Sequence, residues 1–222
     1  MLIPIALMVS YLACGTYIYS FATTFTCALI AGWYGIHSKR WLDGIFIVGA
    51  FLFSIAGDRM LSLCGGHDTY FVYGIILFFI AHLFYIFYCL QNGRLFKPLL
   101  FILGAAYLIY YAIALVPAIG DKVVSIFVLL YTLVSCISMS AAFGLRTNRL
   151  SKMLFAGGIT CLIFSDTLIS IHSFLHISTG YSLMLPTYYA SQILVTASFI
   201  HSYEEKIRDR KAQEQQDLQN SK

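Results

Sequence analysis

The chain has 222 residues, of which 59% are hydrophobic and only 11% are charged, and its mean hydropathy is +0.79. This composition excludes an ordinary soluble domain and predicts a protein that lies mostly within a membrane. The net charge is +4, but the basic residues are dispersed without interleaved aromatic residues, which disfavours nucleic-acid binding.

The apolar segments predict eight membrane-spanning helices, because a helix needs about 20 residues to cross the hydrocarbon core. In chain order, the predicted spans cover residues 2–19, 21–37, 42–63, 69–90, 96–117, 122–145, 152–173 and 183–203. The junction at Ser20 carries no charge or proline, so one bent helix and a total of seven spans is the alternative. Since the apolar runs are continuous and do not alternate as β-barrel strands do, the predicted fold class is all-α.

The predicted domain organisation is one transmembrane bundle over residues 1–203, followed by a polar tail over residues 204–222. We expect the tail to be a frayed helix or disordered. Cytoplasmic N and C termini are predicted, because all lysines and arginines except Arg59 and Lys122 then fall in cytoplasmic segments. We expect a multi-pass protein of a bacterial inner membrane, with the endoplasmic reticulum membrane as the alternative. Nothing in the sequence indicates an oligomeric state.

Asp58 and Asp166 lie in the middle of the third and seventh predicted spans. A carboxyl group is costly in hydrocarbon, so such residues commonly mark a functional site, although a helix–helix hydrogen bond without chemistry is the alternative. At 1.5 Å per residue, both aspartates lie roughly 20 to 25 Å from the cytoplasmic ends of their spans. We therefore predict that they converge on one cavity that a lipid chain can reach.

Other polar residues fall near the same depth on two further spans. In the fourth span His82 and Tyr85 share one helical face with Gly74, which lets a neighbour approach closely. In the eighth span Tyr188 or Tyr189 can point the same way as Gln192. These side chains are expected to face the bundle interior, because lipid offers them no hydrogen-bond partner. Packing or interhelical hydrogen bonds are the alternative roles for them.

Four sequence segments carry a resemblance to a known family. They are AGDRMLSL at 56–63, YGIILFFIAHLFYIFY at 73–88, GGITCLIFSDTLIS at 157–170 and TYYASQ at 187–192. In this order and separation, the chain resembles the YhhN-like membrane proteins, whose characterised members are lysoplasmalogenases. The matching segments run from the third to the eighth span and lie in the third, fourth, seventh and eighth. The first two spans, the fifth and the sixth match in hydropathy only.

The resemblance implies hydrolysis of the vinyl ether bond of a lysoplasmalogen, which releases a fatty aldehyde and a glycerophospho-ethanolamine or glycerophosphocholine. Its catalytic residues are then Asp58 and Asp166, with Asp166 favoured as the acid, and no metal or cofactor is required. A neutral carboxyl can protonate the enol ether carbon while an ionised one stabilises the cation and orients water. The residues expected to orient or contact the lysophospholipid are Arg59, His82, Tyr85, Ser165, Tyr188, Tyr189 and Gln192.

Two other functions fit parts of the sequence. A zinc-dependent intramembrane lipid amidase, resembling alkaline ceramidases, draws on His172 and His176, which are four residues apart. It also needs ligands among His67, His82, Ser165 and Asp166, and we expect His172 and His176 instead to lie at the membrane interface. A proton-coupled transporter could also use buried acids, but the chain shows no inverted repeat.

Overall fold

The computed structural model describes residues 1–14, 17–37, 41–65 and 68–220. The predicted all-α class is confirmed, since the regular structure in these ranges is helical. The helices are α1 Leu2–Cys14, α2 Tyr17–His37, α3 Trp41–Leu63, α4 Asp68–Gln91, α5 Lys97–Ala118, α6 Lys122–Phe143, α7 Arg149–Leu175 and α8 Met184–Asn220.

Six helices in the described part of the chain, α3 to α8, are long and apolar enough to cross a membrane. The protein is therefore an integral membrane protein. The described part of α1 has 13 residues, which is shorter than the roughly 20 needed for a span. The total of eight spans and the orientation of the termini stay predictions.

The predicted boundary at Ser20 between the first two helices is wrong, because α2 already begins at Tyr17. Helices α1 and α2 are separate and pack against each other. Elsewhere the predicted boundaries agree within three residues, apart from the end of the last span. For example, α7 begins at Arg149, and the Asn148 side chain accepts a hydrogen bond from the Ser151 backbone N–H at 2.6 Å. This cap fixes the start of the helix.

Helix α8 continues as one helix through Asn220. The polar tail is thus helical over residues 204–220, so of the two expected states, a frayed helix or disorder, the helical one is found. We call the end of the bundle from which α8 leaves the tail end. Helices α3, α5 and α7 begin there, and the loops after α3, α5 and α7 lie at the opposite end.

The most extensive helix pairs are α3 with α4 and α7 with α8. Glycines make both approaches possible. A Cβ atom added at Gly74 would lie 2.7 Å from Leu61, and one added at Gly158 would lie 3.0 Å from the Ser191 carbonyl oxygen. The predicted role of Gly74 in close packing is confirmed. These two helix pairs place the aspartates of α3 and α7 in the interior of the same bundle.

Helix α5 lies at the edge of the bundle. Within Lys97–Tyr110 no residue is buried, and the helix packs chiefly on α6. A π-helical turn, Tyr111–Leu115, interrupts it just before Pro117. Proline cannot donate the regular helical hydrogen bond, and such turns accommodate the mismatch. Helix α5 contacts α7 through this turn and through side-chain hydrogen bonds.

A polar cluster closes the tail end of the bundle. The Asn92 side chain donates a hydrogen bond to Asp43 Oδ1 at 2.9 Å, which joins α4 to α3. The Asn148 amide contacts His201 Nδ1 at 3.2 Å and donates to the Glu205 carboxylate, which joins α7 to α8. These contacts fix loops and helix ends relative to one another.

Candidate active site

Asp58 of α3 is held by a tyrosine of α8. The Tyr188 hydroxyl donates a hydrogen bond to Asp58 Oδ2 at 2.8 Å. The Tyr188 ring is buried and packs edge-on against Phe78 and Tyr189, with ring centroids 6.2 and 5.1 Å apart. Because neighbouring rings fix its orientation, the tyrosine presents its hydroxyl to the carboxyl group in one position.

Asp166 of α7 is held by two residues from other helices. The Tyr131 hydroxyl of α6 donates to Asp166 Oδ2 at 2.6 Å, and His82 Nε2 of α4 lies 3.6 Å from the same oxygen. His82 Nε2 also lies 3.1 Å from the Tyr131 hydroxyl oxygen. Three helices therefore meet at this carboxyl group.

The hydrogen-bond directions assign the protons of this group. Tyr131 uses its single hydroxyl hydrogen on Asp166, so its oxygen can only accept from His82. His82 Nε2 is therefore the nitrogen that carries hydrogen toward Tyr131. The other ring nitrogen, Nδ1, is buried and has no hydrogen-bond partner among the described residues. The imidazole thus supports the Tyr131 and Asp166 pair from one side.

The two carboxyl groups line one cavity, which we call the carboxyl cavity. Its empty volume is about 760 Å³ and it is partly open to the outside. Asp58, Asp166, Tyr188 and Tyr189 are in its wall, and Ser62 and Tyr181 extend it toward the opposite end of the bundle. The predicted convergence of the two aspartates on a shared cavity is confirmed.

A second cavity begins on the other side of Asp166, and we call it the apolar cavity; its empty space, including the part open to the outside, is about 770 Å³. It lies between α4, α5, α6 and α7 and its wall is mostly hydrocarbon and aromatic. Leu61, Phe78, Asp166 and Ile169 belong to the walls of both cavities. The carboxyl group of Asp166 is therefore placed where the two cavities adjoin.

The predicted substrate-contacting residues separate into two groups. Tyr188, Tyr189 and Ser165 line the carboxyl cavity, and the Ser165 hydroxyl donates to the Met184 carbonyl oxygen at 2.9 Å. His82, Tyr85, Gln192 and Arg59 line neither cavity.

Three of the latter group are fully buried behind the cavity wall. Tyr85 donates a hydrogen bond to Gln192 Oε1 at 3.3 Å, and Gln192 Nε2 has no partner within the described chain. Arg59 is exposed, one residue beyond Asp58. Contact of these four residues with substrate stays a prediction. The positions of His82, Tyr85 and Gln192 are those of residues that support the cavity wall from behind.

Sequence reasoning missed Tyr131, which makes the shortest hydrogen bond to either aspartate. It also missed Ser135, one helical turn further along α6, whose hydroxyl lies 3.5 Å from His82 Nε2. One signal was present: Tyr131 and Ser135 are four residues apart, a spacing that places both on one face of the helix. The span also contains Ser125, Thr132, Ser138 and Ser140, so polarity alone did not single them out.

The histidines of the zinc hypothesis lie away from the carboxyl groups. The His172 ring packs on Tyr181 with centroids 4.0 Å apart, and His176 ends α7 in the left-handed conformation. Their predicted location at the end of the seventh span is confirmed. In the described ranges no three His, Cys, Asp or Glu side chains are grouped as metal ligands would be. His67 lies outside the described residues.

The fold and the site define a polytopic helical membrane protein with two carboxyl groups that face one intramembrane cavity. The chain belongs to the YhhN family, whose sequence profile matches residues 16–199. This family is known in general for lysoplasmalogenase-type activity, a hydrolase activity. No curated protein and no solved structure gave a significant match.

Proposed function

We propose that this protein hydrolyses the vinyl ether bond of lysoplasmalogens. The observation that supports the proposal best is that Asp58 and Asp166, from separate helices, line one cavity and each accept a hydrogen bond from a tyrosine. Paired carboxyl groups in distinct surroundings can divide the acid and base roles of such a hydrolysis. YhhN family membership supports the same reaction class.

The reaction begins with transfer of a proton from a neutral carboxyl group to the second vinyl carbon, the one bonded to the alkyl chain. The first vinyl carbon, which carries the ether oxygen, becomes an oxocarbenium ion. Water adds to this carbon and gives its proton to the carboxylate. The hemiacetal hydroxyl then gives its proton to the carboxylate that supplied the first proton, and the bond between the first carbon and the glycerol oxygen breaks. The glycerol oxygen takes up the proton that the other carboxyl group accepted from water, so both carboxyl groups return to their starting states. The products are a fatty aldehyde and a glycerophospho-ethanolamine or glycerophosphocholine.

The surroundings of the carboxyl groups suggest which one takes each role. Asp166 accepts a hydrogen bond from Tyr131 at 2.6 Å and has the His82 ring nitrogen 3.6 Å from the same oxygen, whereas Tyr188 is the one donor to Asp58 among the described residues. Donors stabilise the anionic form of a carboxyl group. We therefore assign the proton donor to Asp58, and the carboxylate that stabilises the cation and accepts the proton of water to Asp166. This replaces the initial preference for Asp166 as the acid.

The test uses the protein in nanodiscs with a lysoplasmalogen and, as matched control, the saturated alkyl-ether lysolipid. We expect aldehyde from the first lipid and none from the second, because only the vinyl ether can be protonated at carbon. In D2O the aldehyde, reduced at once to the alcohol, should carry one deuterium at the carbon next to the former carbonyl. Equal cleavage of both lipids, or no cleavage of either, would contradict the proposal.

A further inference from the structure

The apolar cavity has a position that the carboxyl chemistry alone does not explain. It shares Asp166 with the carboxyl cavity but extends away along α5, α6 and α7. Its wall is mostly apolar, with the Asp166 carboxyl group and a few hydroxyl groups as the polar exceptions. An apolar space next to a carboxyl group suits a molecule with a reactive polar end and a hydrocarbon part.

The wall between α5 and α7 is formed by side chains that bridge a gap between the helices. The Tyr107 hydroxyl lies 2.9 Å from the Thr167 hydroxyl, and the Tyr110 hydroxyl lies 2.9 Å from the Ser170 hydroxyl. All four line the apolar cavity and are half-buried. On its outer side, α5 exposes Phe101 and Ile102 to the hydrocarbon of the bilayer. The cavity is thus separated from lipid by a thin partition.

The positions of the two cavities give the ligand a direction. The carboxyl cavity opens toward Ser62 and Tyr181, close to loops at the opposite end of the bundle. The apolar cavity extends both ways from Asp166: it reaches Phe71 and Phe174 on the side of the opposite end, and Leu103, Cys136 and Met139 toward the tail end. Only the part toward the tail end leads away from the opening of the carboxyl cavity. Met139 is eight residues from Tyr131, which is about 12 Å along α6.

We infer that the apolar cavity binds the single hydrocarbon chain of a lysolipid, with the chain terminus between Leu103, Cys136 and Met139. The head group then lies in the carboxyl cavity, and the ether linkage lies at Asp58 and Asp166, where the cavities adjoin. This inference rests on the proposed function for the identity of the reacting bond, but the binding site itself can be tested without turnover.

The test is photoaffinity labelling of the wild-type protein in nanodiscs with a saturated alkyl-ether lysolipid that carries a diazirine at its chain terminus. The labelled residues are mapped by mass spectrometry. We expect label on the segments that contain Leu103, Cys136 and Met139, and loss of that label when unmodified lysolipid is added in excess. Label found instead at Phe71 and Phe174, or restricted to the lipid-exposed face of α5, would overturn the inference.

A pair of variants on α6 provides the matched control. Thr132 lines the apolar cavity, whereas Leu130 is exposed on the outside of the bundle. Thr132→Phe should fill the cavity and lower the labelling that unmodified lysolipid competes away by about tenfold. Leu130→Phe should leave that labelling unchanged. Size-exclusion chromatography and thermal unfolding establish that both variants are folded. Equal labelling of folded Thr132→Phe and wild type would contradict the inference.

Parallel aldehyde measurements separate this inference from the proposed function. Labelling at the expected residues without aldehyde release from lysoplasmalogen supports the chain site and contradicts the hydrolase. Aldehyde release with label absent from the cavity supports the hydrolase and contradicts the chain site.

Discussion

The tail end and the cavity level of this bundle both hold aspartates between their helices, but in different settings. Asp43 is 6% exposed, accepts a hydrogen bond from the Asn92 amide and lines neither described cavity. The side chain of Asp166 is 13% exposed and faces two cavities, and Asp58 faces one of them. Burial of an acid therefore does not by itself indicate chemistry here, and access to an open space distinguishes the two cases.

The donors also differ between the two levels. An amide fixed at a helix end holds Asp43, whereas ring-packed tyrosine hydroxyls hold the cavity aspartates. Tyrosine can donate to a carboxylate and, after rotation of its hydroxyl, accept from a carboxylic acid, so it remains a partner when the carboxyl group changes its protonation state. The amide nitrogen of asparagine can only donate. The cavity level is thus suited to proton transfer and the tail end to structural stability.

The largest expected effect comes from removing an ionisable group at the cavity level. Asp58→Asn and Asp166→Asn should each lower aldehyde release by about 100-fold or more, since a general acid or base contributes about 10² to 10⁴ to the rate. Initial rates with lysoplasmalogen and a coupled aldehyde dehydrogenase provide the measurement.

The matched variant at the tail end is Asp43→Asn, which should keep turnover within about threefold of wild type because no reacting group is lost. A wild-type rate in a folded Asp58→Asn or Asp166→Asn protein would remove that residue from the mechanism. A loss in Asp43→Asn as large as in the other two would break the comparison between the two levels.

The tyrosine donors should have the next largest effect. Tyr131→Phe and Tyr188→Phe remove one hydrogen bond to a carboxyl group, which corresponds to about 10- to 100-fold in kcat if the bond is worth 1.5 to 3 kcal/mol. Steady-state kinetics should show the change in kcat more than in KM. Tyr111→Phe is the control, because Tyr111 bonds to Ser125 of α6 at 2.7 Å, away from both aspartates. Comparable losses in all three variants would indicate a general packing effect.

His82 is expected to act as a positioning residue with an intermediate effect. His82→Gln retains an N–H donor, whereas the phenyl ring of His82→Phe leaves the Tyr131 oxygen without one. The activity of His82→Gln should therefore be about tenfold higher than that of His82→Phe. The measurement is kcat for both variants together with their thermal unfolding midpoints. If the two variants had the same kcat and the same loss of stability, the role of His82 would be structural alone.

The smallest effect on activity is expected at the tail end. Asn92→Ala removes a hydrogen bond to Asp43, and its loss should cost about 1 kcal/mol, or about 2 to 4 °C in the unfolding midpoint. The kcat should be unchanged. Differential scanning fluorimetry and the aldehyde assay, run on the same preparation, provide the two values. A reduced kcat at unchanged stability would connect Asp43 to the chemistry.

Much of the fold could be predicted from hydropathy because the bilayer imposes helix length directly. Span ends set by charge and proline, such as those of α5 and α6, agree closely with the helices. The junction near Ser20 has neither signal, and its predicted position was wrong. The sequence left residues 204–222 open between a frayed helix and disorder, and a helix that is already formed can continue into a charged sequence without a break.

The site could be predicted in part, for a similar reason. Helix rise places Asp58 and Asp166 at one depth, but rise carries no information about which helices are neighbours. The contribution of α6 through Tyr131 depends on the packing of α4, α6 and α7, which hydropathy does not encode. The second cavity likewise results from the loose position of α5.

The continuity of α8 links the buried phenol of Tyr188 to the aqueous compartment. Its 37 residues form a rod about 55 Å long, nearly twice the thickness of the bilayer core. The same continuous helix that sets the Tyr188 hydroxyl against the Asp58 carboxyl group therefore also carries the charged segment that extends beyond the bundle.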